Sequence, residues 1–164
     1  MLDDETITAY HEAGHAVIAF ALGGEIDSIG LYAEADEWLP ERFGDCHINW
    51  GKVNVNCSWQ IQREVLTLLA GPVAEMIYRG ESLHPAVYPP WRYDWEMALL
   101  RVREVVSSEE QRDKIMEILL QWLHQRLSDN VNWAAVAAVA DELLAHEYLD
   151  GEMLADTLRF WVGR

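Results

Sequence analysis

Two histidines and a glutamate near the amino terminus have the spacing of a metal site. Residues 10–15 read Tyr-His-Glu-Ala-Gly-His, inside a run that predicts a helix from about Ile7 to Leu22. Positions four apart on a helix differ by about 40° around its axis, so His11 and His15 point to one side. Both imidazoles can then reach one zinc ion at about 2.0–2.1 Å. Glu12 lies about 100° further round, where it can accept a proton from water on the metal; the pattern predicts hydrolysis by a zinc-activated water.

The composition of this predicted helix favours a metal over the alternative, a pair of hydrogen-bonded histidines in the core. From Ala13 to Leu22, His15 is the only ionisable residue, which predicts a helix that is buried nearly all round. Burying ionisable groups costs free energy unless a partner satisfies them. A metal ion is such a partner for His11, Glu12 and His15.

Length and composition narrow the classes of protein to which the chain can belong. A chain of 164 residues with 51% hydrophobic residues and eight tryptophans predicts one folded domain, 1–164, with a substantial core. The net charge of −16 argues against nucleic acid as a partner. No apolar run reaches the roughly 18 residues of a membrane span, and the acidic start does not read as a secretory leader. The cysteines, Cys46 and Cys57, give no disulfide framework. We therefore expect a cytoplasmic protein.

After the first helix the pattern predicts a small sheet. Alternation of side chains predicts a strand from Ile26 to Tyr32, an acidic loop from Ala33 to Asp45, and strands at Cys46–Trp50 and Lys52–Asn56. A peptide could add to the edge of the Ile26–Tyr32 strand.

The remainder reads as helical. A second helix is predicted from its cap at Ser58 to about Tyr78, with a bend at Gly71-Pro72 and an end at Gly80. A linker, Glu81–Pro90, precedes a third helix in which Trp91, Trp95 and later apolar residues recur at helical spacing. The later predicted features are a capping box at Ser107 and Glu110 for a fourth helix, and helices at about Val131–His146 and Gly151–Val162. The predicted class is mainly α (α+β).

A catalytic zinc normally keeps three protein ligands, so a third donor is required. The candidates are Glu34, Glu37, Glu75, Asp94, Glu96, His47 and His84. Glu75 matches a thermolysin-like glutamate on a later helix. Asp94 is expected in the first turn of the helix after Pro90, where the positive helix end favours the ionised form that a metal needs. Spacing alone leaves these two open.

Three motifs resemble one known family. Residues 10–17, Tyr-His-Glu-Ala-Gly-His-Ala-Val, closely resemble the peptidase domain of FtsH, the ATP-dependent zinc protease. The resemblance continues in Leu-Leu-Ala-Gly-Pro-Val-Ala-Glu at residues 68–75, followed by Gly80, and in Asp-Trp-Glu-Met-Ala at residues 94–98. It spans roughly residues 5–106 and is weak beyond. Many zinc peptidases share the first motif, whereas the three in this order are fairly specific.

The resemblance implies a helical zinc-peptidase domain and assigns roles to its residues. Asp94 becomes the third zinc ligand beside His11 and His15, and Glu12 becomes the general base. Glu75 is expected to support the ligands, with a ligand role as the alternative. The family forms rings and carries an ATPase module, so a homo-oligomer or a separate ATPase partner is expected.

The chain also departs from the family pattern. It contains no phosphate-binding Gly-Lys loop and no membrane anchor. Pro72, Met76 and Leu99 stand where the family has Arg, Glu and Thr. These changes bear on the shape of the cleft more than on the metal.

The function predicted from the sequence is that of a zinc metallopeptidase acting on peptides or unfolded proteins. One alternative is a catalytically inactive binding or adaptor protein that keeps the fold. Another is a zinc peptidase of a different family in which Glu75 is the third ligand. A second metal site at Cys46, His47 and Cys57 is a further hypothesis.

Overall fold

The computed structural model describes residues 3–32 and 43–163. Its elements in chain order are α1 (Asp4–Ala21), β1 (Glu25–Tyr32), β2 (Phe43–Asn49), α2 (Ser58–Arg79), α3 (Pro89–Arg103), α4 (Glu109–Leu127), α5 (Asn130–His146), β3 (Tyr148–Asp150) and α6 (Gly151–Val162). The fold is mainly helical with a small antiparallel sheet, which confirms the predicted class.

The predicted first helix is present as α1, at the centre of the molecule. The Asp3 side chain accepts a hydrogen bond from the backbone N–H of Thr6, which satisfies one of the free donors at the helix start. From Glu12 to Phe20 every side chain is buried, as the absence of surface charge predicted. The helix packs against α2, α5, β1 and β2, and it therefore presents its histidines to the interior.

The sheet has the strand order β2-β1-β3, with both pairs antiparallel. The pairing of β1 with β2 runs from Glu25 opposite Asn49 to Tyr32 opposite Phe43. Because β3 pairs with β1 from Ser28 to Gly30, β1 is the central strand. The prediction that a peptide adds to the edge of β1 is therefore wrong. In the described residues, the outer side of β2 is the long free edge.

Helix α2 passes through Pro72 and ends at Gly80, where a backbone φ of 68° gives the left-handed stop that the sequence predicted. Its amino-terminal cap is Cys57 rather than the predicted Ser58, and no side-chain hydrogen bond closes that cap. Helix α4 differs from prediction in the same way, because Ser108 rather than Ser107 accepts from the Gln111 N–H.

Two other predictions about the chain need correction. Residues 52–56 form no strand: Lys52 is a bend and residues 55–56 are a turn, where the Asn54 side chain accepts a hydrogen bond from the Asn56 N–H. The predicted Ala33–Asp45 loop ends early, because β2 already begins at Phe43. Residues 33–42 of that loop lie outside the described residues.

Buried apolar side chains from α1, α2, α3, α4, α5, α6 and the sheet form one continuous core. No helix in the described part of the chain has the length and apolar character needed to cross a bilayer.

Candidate metal centre

Small residues let α1 and α2 cross closely beside the histidines. A Cβ at Gly14 would lie 2.6 Å from the Ala70 carbonyl oxygen and 2.6 Å from the Ala74 Cβ. Glycine is therefore needed at position 14 for this approach. The approach brings Nδ1 of His15 within 2.7 Å of the carbonyl oxygen of Thr67 on α2.

Gly71 on α2 faces the two imidazole rings. A Cβ at this position would lie 2.5 Å from Cε1 of His15 and 2.8 Å from Nε2 of His11. Any larger residue would occupy the space in front of the Nε2 atoms. The two Nε2 atoms therefore approach one point in front of Gly71, as an ion held between them requires.

Asp94 of α3 completes this cluster. Its Oδ2 atom lies 2.9 Å from Nε2 of His11 and 3.4 Å from Nε2 of His15. Ligands at about 2.0–2.1 Å around a tetrahedral zinc are separated by roughly 3.3 Å, so both distances suit a shared ion. The donor set of two imidazoles and one carboxylate is one that zinc accepts.

The electrostatics of Asp94 differ from the prediction. Because α3 begins at Pro89, Asp94 lies in its second turn rather than its first. Burial alone would raise the pKa of the Asp94 carboxyl, but the charge of His15 and a hydrogen bond from His11 outweigh burial and hold it well below its usual range. The histidines, not the helix end, therefore keep this carboxylate ionised.

The Nδ1 atom of each histidine ring lies within hydrogen-bond distance of an oxygen acceptor. Nδ1 of His11 lies 3.1 Å from Oε2 of Glu75, and Nδ1 of His15 donates to Thr67. These bonds keep a proton on each Nδ1 and orient each ring so that its Nε2 atom faces Asp94. Glu75 therefore contacts the side of the His11 ring opposite Asp94, and it is not placed with the Nε2 atoms.

Protonation of the histidines is coupled to these carboxylates. Burial lowers the pKa of His11, but hydrogen bonds to Asp94 and Glu75 outweigh burial and raise it to about 10. Burial likewise lowers the pKa of His15, and the Asp94 charge outweighs it and raises the pKa. A proton on Nε2 therefore occupies the position that a cation would take.

Glu12 is buried beside the two histidines. One ligand-type atom from each of His11, Glu12 and His15 lies within 4.8 Å of the others. Burial raises the pKa of Glu12, and the charges of the histidines partly offset that rise. Gly44 of β2 covers the side chain, because a Cβ there would lie 2.7 Å from Cγ of Glu12. The β2 strand thus passes directly over the glutamate.

The other candidate ligands lie elsewhere. Glu96 is exposed on α3, His47 pairs with Asp45 at the surface, and His84 pairs with Glu117. Glu34 and Glu37 lie outside the described residues. Cys46 is half-buried, Cys57 is exposed, and no metal-type cluster contains them among the residues that the structure describes.

Several residues of the centre had no role in the sequence analysis. The Thr67 carbonyl bonds to His15, Gly44 lies against Glu12, and the Trp91 indole donates a hydrogen bond to Glu75. These residues belong to separate elements, and no local spacing in the sequence marks them. Gly71 was part of a recognised motif, but its steric role depends on the α1–α2 crossing. Comparison with known proteins assigns no family, because neither a protein-family model nor a curated protein matches this chain.

Proposed function

We propose that the chain is a zinc-dependent metallopeptidase in which His11, His15 and Asp94 hold the ion. The observation that carries the proposal is the position of the Asp94 Oδ2 atom, 2.9 Å and 3.4 Å from the two Nε2 atoms. Two further observations support the same ligand set: both Nε2 atoms approach one point in front of Gly71, and both Nδ1 atoms have acceptors. Zinc bound there supplies a water activated near neutral pH and polarises the scissile carbonyl.

Glu12 is the general base of the proposed reaction. Burial raises its pKa above that of an ordinary glutamate, which makes the carboxylate a stronger base toward water. It accepts a proton from the attacking water and then delivers it to the leaving amine. His11 and His15 stay neutral while an ion is bound, with their Nδ1 protons held by Glu75 and Thr67.

The outer edge of β2, which no strand within residues 3–32 and 43–163 covers, suits an extended peptide as substrate. Gly44 of this strand contacts Glu12, so a chain paired with β2 would run close to the proposed base. Backbone pairing would orient the peptide without requiring a particular side chain. The resemblance of the three motifs to the FtsH peptidase domain supports the same substrate class.

The first experiment compares bound zinc in the native protein and in Asp94→Ala and Glu75→Gln, by elemental analysis after zinc loading and dialysis. We expect about one zinc per native chain, loss of zinc in Asp94→Ala, and weaker but detectable retention in Glu75→Gln. Zinc kept without Asp94 and lost without Glu75 would assign the third ligand to Glu75. A native protein that binds no zinc would exclude the proposal.

The catalytic assignment is tested with unfolded protein and peptide substrates. Glu12→Gln should keep its zinc and lose about 10²–10⁴-fold in kcat, the usual contribution of general acid–base catalysis. A native protein that keeps zinc but cleaves none of these substrates would favour the binding or adaptor function.

A further inference from the structure

Trp91 connects to the metal centre through a buried carboxylate. It lies in the first turn of α3, its side chain is fully buried, and its indole Nε1 donates a hydrogen bond to Oε2 of Glu75. The same oxygen lies 3.1 Å from Nδ1 of His11. A single carboxylate oxygen therefore joins the indole to the imidazole.

Helix α3 is thus linked to both nitrogens of the His11 ring, to one directly and to the other through Glu75 of α2. Asp94 reaches Nε2 directly, and Trp91, three residues earlier, reaches Nδ1 through Glu75. The other carboxylate oxygen of Glu75 lies 3.7 Å from Nη1 of Arg79, one turn further along α2. Contacts from two helices therefore hold the Glu75 carboxylate, which accepts the hydrogen bond from Nδ1 of His11.

We propose that Trp91 is a positioning residue for His11, acting through Oε2 of Glu75. This inference rests on the proposed zinc site. The indole holds the carboxylate in the plane and orientation that keep the proton on Nδ1, so that the Nε2 lone pair faces the ion. Partners that hydrogen-bond directly to a ligating histidine, as Glu75 does, typically contribute 10–100-fold to metal affinity, and the indole is expected to act at the lower end of that range.

Trp95 provides a matched control on the same helix. It lies one turn after Trp91 and is also buried, but its ring packs edge-on against His84, with ring centroids 4.9 Å apart. Trp91→Phe removes the hydrogen-bond donor and part of the ring, and Trp95→Phe removes the same atoms from a second buried position on the same helix. A loss due to packing alone would be similar in the two variants.

The test measures zinc affinity by competition with a chromophoric chelator, in Trp91→Phe, Trp95→Phe, Glu75→Gln and the double variant Trp91→Phe/Glu75→Gln. We expect about ten-fold weaker binding in Trp91→Phe and a change below two-fold in Trp95→Phe. The double variant should bind zinc as Glu75→Gln does, because an indole that acts through Glu75 loses its effect once that carboxylate is gone.

Two outcomes overturn the inference: unchanged affinity in Trp91→Phe, or losses that multiply in the double variant. If the native chain binds no zinc, the proposed metal site itself is wrong. If a variant does not fold, the inference is tested on the native protein instead, by following the indole ¹⁵N–¹H resonances during a zinc titration. We expect the Trp91 resonance to shift more than that of Trp95, and an unmoved Trp91 resonance overturns the inference.

Discussion

At the scale of single residues, Gly71 sets the space between the two histidine rings. Replacing it with alanine removes a glycine from a helix, which on propensity alone would stabilise α2 by about 1 kcal/mol. The added Cβ would nevertheless collide with both rings, 2.8 Å from Nε2 of His11. We expect Gly71→Ala to fold and to lose about 100-fold or more in zinc affinity, because it displaces ligands directly instead of their outer partners. Isothermal titration against a competing chelator measures this loss.

Gly80→Ala is the matched control for Gly71→Ala, since both substitutions fall on α2 or its end. Gly80 has open space around its Cα but a φ of 68°, so alanine there is strained by about 1 kcal/mol. Gly80→Ala should therefore lower the free energy of unfolding while zinc affinity stays unchanged. Equal zinc affinity in Gly71→Ala and the native chain would contradict the steric role of Gly71.

The two cysteines differ in thiol pKa, and their reactivities should differ accordingly. Burial raises the pKa of Cys46 well above its usual value, and the nearby charges of Glu12 and Asp45 add to the rise. Backbone N–H groups of Gln60 and Trp59 lower the pKa of the exposed Cys57 at the start of α2. At pH 7.5 we expect iodoacetamide to modify Cys57 at least about ten times faster than Cys46, because the thiolate is the reacting form.

Mass spectrometry of the digested protein gives both alkylation rates in one sample. In denaturant the two rates should converge, because burial and helix-end contacts are lost. Faster modification of Cys46 in the folded protein would contradict the raised thiol pKa that follows from its half-buried position near Glu12.

The parts of the centre that sequence predicts are those set by local geometry. His11, Glu12 and His15 follow from helical spacing within six residues. Asp94 and Glu75 remained alternatives until the resemblance ranked them, because their distance from His11 depends on three helices packing together. Trp91 read only as a core residue, since its indole meets Glu75 through an α2–α3 contact that no periodicity encodes.

At the scale of elements, the α1–α2 crossing depends on Gly14. Helix propensity alone predicts that Gly14→Ala stabilises the protein by about 1 kcal/mol. We expect the opposite sign, a loss of about 1–3 kcal/mol, because the new Cβ would meet the Ala70 carbonyl oxygen at 2.6 Å. Urea unfolding monitored by far-ultraviolet circular dichroism measures the change, and a stabilised variant would show that the helices separate easily.

Elements that form from local sequence were predicted accurately, whereas elements that form only by contact with residues distant in the chain were not. Long amphipathic or buried helices were predicted within a few residues, as α2 from Ser58 shows. β3 was missed because three residues are too few to display alternation, and the strand exists only by pairing with β1. Residues 52–56 alternate like a strand, but asparagine side chains bond to the local backbone and form turns there.

At the scale of the whole molecule, zinc binding and proton binding compete within one buried cluster. The His11 pKa is raised from 6.5 to about 10, so this group stabilises the chelator-treated protein fully below pH 6.5. That contribution is lost as pH rises toward 10. Zinc must displace the proton that raises the charge of His11, and this displacement costs less free energy as pH rises.

The thermal stabilisation produced by zinc should therefore increase with pH. Zinc at 100 times its dissociation constant adds about 2.7 kcal/mol to the free energy of unfolding, and displacing one proton increases the apparent affinity about ten-fold per pH unit. We expect the difference in Tm between zinc-loaded and chelator-treated protein to widen from pH 6.5 to 8.5 at fixed free zinc. Asp94→Ala, which lacks the proposed third ligand, should show little difference at any of these pH values. A difference in the native protein that is constant with pH would mean that zinc binds without displacing the His11 proton, and therefore away from the Nε2 atoms.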